Sequence, residues 1–219
     1  MNDSTHPPEQ PELLIPQALL LRAADDLATR FVGVFGKETV ERCVFDSYTA
    51  LRRTAKITTH LPTLSIHFAR ERLTALAQAE GAIVKDVPEV LFVCTHNAGR
   101  SVLASSLLSH HAGSSVHVRS AGTAPAATVD PNVIEALAEV GIDAFHEFPK
   151  PLSDAVVQAA DCVITTGCGD ACPVYPGKRY LDWDLEDPEG KSLPRVRAIR
   201  DDVDAHVRAL MVDLGIVPA

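Results

Sequence analysis

Along the first third of the chain, apolar positions recur every three to four residues. Leu19, Leu20, Ala23, Leu27, Phe31 and Val34 form one stripe. Val40, Val44, Phe45, Tyr48 and Leu51 form a second, and Leu64, Phe68, Leu73 and Leu76 a third. That period is the mark of amphipathic helices. Pro16 and Pro62 suit first helical turns, and Gly36 and Gly81 suit helix ends. Nothing before about residue 80 alternates as a strand does. The pattern predicts a small all-α, three-helix antiparallel bundle over residues 15–86. The polar, Pro-rich tail over residues 1–14 is expected to be disordered.

The pattern changes at Val87-Pro88. Glu89–Val93 is a short apolar run with β-branched residues, followed by a loop and a helical stretch from about Arg100 to His111. Ser115–Ser120 reads as a strand, Pro131–Val140 as a helix capped by Asp130 and closed by Gly141, Leu152–Ala160 as a helix, and Asp161–Thr165 as a buried strand. Leu193–Leu214 reads as a long final helix. Strands alternating with helices predict an α/β domain over residues 87–219, a parallel sheet flanked by helices. In such sheets ligands bind beyond the C-terminal ends of the strands, which directs attention to the segment after Val93.

Composition narrows the function. In 219 residues, 20 Lys plus Arg against 29 Asp plus Glu leave a net charge of −9. Sequence-independent binding to nucleic acid needs a basic face, so no nucleic-acid partner is expected. No apolar run approaches the ~20 residues of a membrane span, and the first residues lack the features of a signal peptide. The expectation is a cytoplasmic protein without a membrane partner. The five cysteines, Cys43, Cys94, Cys162, Cys168 and Cys172, are an odd set, which argues against a structural disulfide framework.

The segment after Val93 is Cys94-Thr95-His96-Asn97-Ala98-Gly99-Arg100-Ser101. A loop entering a helix presents several backbone N–H groups to one point and binds an oxyanion. Arg100 can grip two oxygens of that anion with its planar fork. The same positive field favours the thiolate of Cys94, and Ser101 can donate to it. Gly99 allows a tight backbone, and Asn97 suits a left-handed position. Thr95, His96, Asn97, Ala98, Gly99, Arg100 and Ser101 are the candidate substrate-binding residues. The arrangement aims a nucleophilic sulfur at the centre of a tetrahedral oxyanion.

VLFVCTHNAGRS resembles the phosphate loop of the low-molecular-weight protein tyrosine phosphatases, and its HNAGRS form resembles their arsenate reductase branch. Arg119–Thr123, Gly141-Ile142-Asp143, Pro149-Lys150-Pro151-Leu152, Gly167–Pro173 and Trp183–Pro188 are similar to family segments in the same order. The resemblance spans about residues 88 to 215. It implies a four-stranded parallel sheet flanked by helices, Cys94 as nucleophile, Arg100 as oxyanion clamp and Asp187 as general acid. Taken alone, the acidic cluster Asp182, Asp184, Glu186 and Asp187 does not single out one carboxylate. Some members bind potassium through a Glu on the helix after the loop. Ser105 stands there in this chain, so no metal is expected.

Cys168 and Cys172 bear on the choice between reductase and phosphatase. Reducing arsenate to arsenite takes two electrons, which thiols can supply by forming a disulfide that a redox protein later reduces. Zinc binding and plain burial are the competing readings of this pair. Thioredoxin-coupled arsenate reductases separate their last two cysteines more widely. The GCGDACP form is closer to actinobacterial members with an N-terminal helical extension, some of which use mycothiol and mycoredoxin. The resemblance therefore implies an arsenate reductase acting on an arsenate- or phosphate-type oxyanion. It has no tightly bound cofactor and draws electrons from thioredoxin or from mycothiol and mycoredoxin. A phosphatase acting on phosphate monoesters is the alternative. Pro188 is followed by Glu189 and Gly190 rather than by an aromatic residue that could grip a substrate ring, which favours a small inorganic anion. A non-catalytic oxyanion sensor is a third reading. Cys43 and Cys162 read as small core hydrophobes, and His110 and His111 as structural. Trp183 either covers the site or packs. The N-terminal helices read as a stability or dimerisation module, with association into a homo-oligomer through them expected, or as a docking unit.

Overall fold

The computed structural model describes residues 14–56, 58–167 and 172–216. Three helices come first: α1 (Leu14–Arg30), α2 (Lys37–Arg52) and α3 (Leu61–Ala79). Then follow β1 (Glu89–Cys94), α4 (Arg100–Ala112), β2 (His117–Gly122), α5 (Pro131–Ala138), α6 (Asp154–Ala159), β3 (Cys162–Thr165), β4 (Arg179–Asp182) and α7 (Leu193–Leu214). All four strands are parallel, in the order β2-β1-β3-β4. The expected α/β architecture with a preceding helical region is present. Among the described residues no helix is long and apolar enough to cross a membrane.

β1 is buried along its whole length, as a central parallel strand covered on both faces must be. Its side chains alternate between two cores. Val90 and Phe92 pack with residues of α4, α5 and α7, while Leu91 and Val93 face α6. Ala75 of α3 belongs to this second core. α3 thus has two roles: it packs with α1 and α2 around Leu20, Phe31, Val40, Val44 and Leu73, and it extends the layer that α6 begins.

Several local expectations are corrected. α1 ends at Arg30, not at Gly36; Gly33 makes the left-handed turn, at φ 81°, and Gly36 is the residue before α2. Leu19 lies outside the helical core, 42% exposed, because its neighbour Leu20 takes the buried position. β2 begins two residues later than the alternation suggests, and α6 is shorter at both ends. β4, Arg179–Asp182, carries no alternating apolar pattern, because it is an edge strand with no buried residue. The expected tail falls almost entirely outside the described residues. Asp130 caps α5 as its position implies, accepting from the Asn132 backbone N–H.

Candidate active site

β1 ends on Cys94 and α4 starts at Arg100, so the loop between them opens at the C-terminal edge of the sheet. The segment after β2 fixes the loop from outside. The carbonyls of Cys94, Thr95, His96 and Ala98 accept from the N–H groups of Thr123, Ala124, Ala126 and Asp130, at 2.8–3.1 Å. In a planar peptide the N–H lies opposite the carbonyl. Drawing these carbonyls outward therefore turns the following N–H groups inward, over Cys94. This is the nest geometry that binds anions. The Asn97 N–H donates to Cys94 Sγ at 3.1 Å.

Asn97 is buried and left-handed, at φ 47°. Its Nδ2 donates to Ser101 Oγ at 2.8 Å, and Ser101 Oγ lies 3.0 Å from Cys94 Sγ. Either atom of the Ser101–Cys94 pair can donate; toward a thiolate, which has no hydrogen, the serine hydroxyl is the donor. Cys94, 2% exposed, is thus held by the Asn97 N–H and by Ser101 Oγ.

Arg100 Nη2 pairs with Asp187 Oδ2 at 2.7 Å. Its Nε is buried and has no hydrogen-bond partner among the described residues. Two glycines permit this crowding. A Cβ on Gly99 would meet Pro188 Cγ at 2.5 Å, so glycine lets Asp187-Pro188 lie on the loop. Gly99 is needed for that close approach; its φ is −136°. Gly167, at φ 75°, lies against the guanidinium, with a Cβ there 2.5 Å from Arg100 Nη1, and its carbonyl accepts from Thr95 Oγ1 at 3.4 Å. The cavity above the loop is about 170 Å³ and is bordered by Cys94, Arg100, Asp187, His96 and Glu189. His96 Nδ1 lies 3.1 Å from Glu189 Oε2 at its mouth.

The loop and Asp187 are therefore brought together as expected. The other carboxylates of the cluster are engaged elsewhere: Glu186 pairs with Arg195 and Lys191, Asp182 accepts from Thr165, and Asp184 is exposed. The hydrogen bond from Arg195 holds the Glu186 carboxyl below its usual range. Cys168 lies outside the described residues. Cys172 is buried in the core facing α6, near Tyr175 and Tyr180. Burial pushes the Cys162 thiol up to about 11 and raises that of Cys43; thiols of that kind stay protonated and inert at neutral pH. Trp183 packs between Phe92 and His206, with ring centroids 5.6 and 5.2 Å away. His111 pairs with Asp204.

Residues 89–216 match the model of the low molecular weight phosphotyrosine protein phosphatases. The chain belongs to this family. Residues 20–77 match the model of a protein-tyrosine-phosphatase-like N-terminal domain. Among solved structures, the chain is similar to a thioredoxin-dependent arsenate reductase of Corynebacterium glutamicum. That match has 52% identity and a TM-score of 0.84, covering 90% of this chain and 97% of the other. It is similar to arsenate reductase 1 of Staphylococcus epidermidis, with 34% identity over 122 residues, 54% of this chain and 91% of the relative. A more distant likeness is to an arginine phosphatase of Geobacillus stearothermophilus, with 26% identity and a TM-score of 0.52, covering 58% of this chain and 93% of the other.

Sequence reasoning missed two features of this family member's site. One is the contact of Gly167 with Arg100, signalled only by a glycine directly before a cysteine. The other is the use of Lys150: its backbone N–H donates to Asn97 Oδ1 at 2.7 Å. The Pro149–Leu152 motif was visible, but its spacing does not reveal which backbone group meets the loop.

Proposed function

We propose that this protein is an arsenate reductase. Arsenate docks on the N–H groups of residues 95–101 and on the Arg100 guanidinium. The Cys94 thiolate attacks arsenic and expels one oxygen, which leaves as water after taking the Asp187 proton. Arg100 and Asp187 are paired beforehand. Cys168 then attacks Cys94 Sγ. A Cys94–Cys168 disulfide forms, the sulfur–arsenic electron pair stays on arsenic, and arsenite departs. Cys172 attacks Cys168, frees Cys94 and leaves a Cys168–Cys172 disulfide for thioredoxin to reduce. Two thiols supply the two electrons. A cytoplasmic setting, where thiols are kept reduced, fits this cycle.

The observation that carries the reading is the position of Gly167. It lies against Arg100 and bonds to Thr95, and Cys168 is the next residue in the chain. A phosphatase needs only Cys94, Arg100 and Asp187, and nothing in hydrolysis uses a second thiol. The 52% identity with a thioredoxin-dependent arsenate reductase supports thioredoxin as the donor over mycothiol. The test is multi-turnover arsenite release with the two donor systems supplied separately. Turnover with thioredoxin that Cys168→Ser stops is expected. Turnover with mycothiol alone, unimpaired in Cys168→Ser, would show an external thiol attacking Cys94. Phosphate ester hydrolysis without arsenite release would favour the phosphatase.

A further inference from the structure

Asn97 connects the oxyanion loop to the rest of the protein. Its backbone N–H meets Cys94 Sγ, its Nδ2 meets Ser101, and its Oδ1 accepts from the Lys150 backbone. An amide that donates from one end and accepts at the other is oriented by both partners. Where the Lys150 peptide sits thus sets where Ser101 and the Asn97 N–H point. That peptide is gripped from β2: the Gly122 N–H donates to the Lys150 carbonyl at 2.8 Å, and the Leu152 N–H to the Gly122 carbonyl at 2.9 Å.

Lys150 is 8% exposed and its side chain turns toward the N-terminal helices. Its Nζ lies 3.7 Å from Glu71 Oε1 on α3, 3.7 Å from Glu147 Oε2, and 5.0 Å from the centre of the Phe148 ring. Glu71 is itself anchored to β2, since its backbone carbonyl accepts from Arg119 Nη1 at 3.0 Å. A buried ammonium is costly to leave unpaired; Glu147 on its own strap and Glu71 on α3 share it at equal distance, and the Glu71 half of the pairing ties the strap to α3. One continuous chain of contacts then runs from α3 to the sulfur: Glu71, Lys150, Asn97, Ser101, Cys94.

We infer that Lys150, held by Glu71, is a positioning residue through which the N-terminal helices set the anion affinity of the loop without touching the anion. The inference rests on residues 94–101 being an oxyanion loop, which phosphate protection of Cys94 from iodoacetamide in the parent protein tests by itself; absence of that protection would remove the loop reading, not only this one. With protection established, Glu71→Gln and Lys150→Met in the full chain are expected to weaken inorganic phosphate binding roughly three- to thirtyfold. The KM for arsenate should rise by a similar factor while kcat changes less. Lys150→Arg, which keeps the ion pair, should restore most of the affinity. In an Asn97→Ala background, Lys150→Met should add little further, because its route to the loop is gone. A purely structural lysine would lower the Tm of Lys150→Met and leave phosphate affinity of the folded protein at the parent value. That result overturns the inference, as would unchanged affinity in Glu71→Gln, or full additivity of Lys150→Met with Asn97→Ala.

Discussion

Arg100 and Arg119 are both largely buried, and both are paired with a carboxylate, yet they use their donors differently. Arg119 bonds to Glu89, to the Glu71 carbonyl at 3.0 Å and to Gln78 Oε1 at 3.2 Å. Each of its three nitrogens has a partner, and it joins β1, β2 and α3. Arg100 bonds to Asp187 through Nη2, while its Nε finds no partner among the described residues. A guanidinium has five N–H donors in a rigid fork. Where each nitrogen finds a partner in the fold, as in Arg119, the arginine is scaffold; where one stays unmatched beside a thiol, as in Arg100, it is available to an oxyanion. Both arginines belong to segments that resemble the family, so resemblance does not separate their roles, whereas counting hydrogen bonds does.

The contrast can be broken most severely at the sulfur that Arg100 serves. Cys94→Ser should abolish arsenate reduction and aryl phosphate hydrolysis alike, with the far-ultraviolet circular dichroism spectrum unchanged. Asp187→Asn removes the partner of Arg100 and the proposed proton donor together. It should cost about 10²–10⁴-fold for arsenate or an alkyl phosphate and little for a nitrophenyl phosphate, whose leaving group needs no proton. Phosphate affinity should barely change. Asp184→Asn, on an exposed side chain, should cost little, and a leaving-group-dependent loss there instead would move the acid to Asp184.

Exchanging the two arginines sharpens the comparison further. Arg100→Lys keeps the charge but loses the fork, and should lower kcat/KM about 10²–10³-fold with a nearly unchanged Tm. Arg119→Met should do the reverse. Breaking a buried pair by removing one partner costs about 3–5 kcal/mol, which for a chain of this length lowers Tm by roughly 6–20 °C, while kcat of the folded protein stays near the parent value. Loss of activity without loss of Tm in Arg119→Met would put both arginines in the site.

The smallest effect is on acid stability. Burial alone would push the Glu89 carboxyl up. His117, whose Nδ1 lies 3.4 Å from Oε2, and the charge and hydrogen bond of Arg119 outweigh that, and hold it below its ordinary value of 4.5. A carboxyl depressed in the folded state contributes stability that is present above its unfolded pKa and lost as pH falls through its folded one. Denaturation curves between pH 6 and about pH 3 should therefore show an acid loss that is shallower in Glu89→Gln.

The loop was the most legible part of the chain because its chemistry is local: Cys94, Asn97, Arg100 and Ser101 lie within eight residues and are fixed by one strand-to-helix junction. Asp187 was legible only through resemblance, since four acidic residues compete there and only the fold separates the one that meets Arg100. β4 escaped the pattern because an edge strand needs no alternation of apolar positions. Lys150 and Glu71 escaped for another reason. Their part in the site depends on a backbone N–H and on α3 packing beside α6, and neither leaves a periodic trace. Glu89, at the start of an apolar strand, gave no sign that it would be buried with Arg119.

The central claim, that Cys94 attacks arsenate and a neighbouring thiol completes the reduction, is tested most directly in a single turnover. The fully reduced protein is mixed with arsenate, no external thiol is present, and released arsenite and remaining thiols are counted. The account predicts one arsenite per chain and a fall from five titratable cysteines to three. Five thiols remaining and no arsenite, in protein whose Cys94 is protected by phosphate, would contradict it.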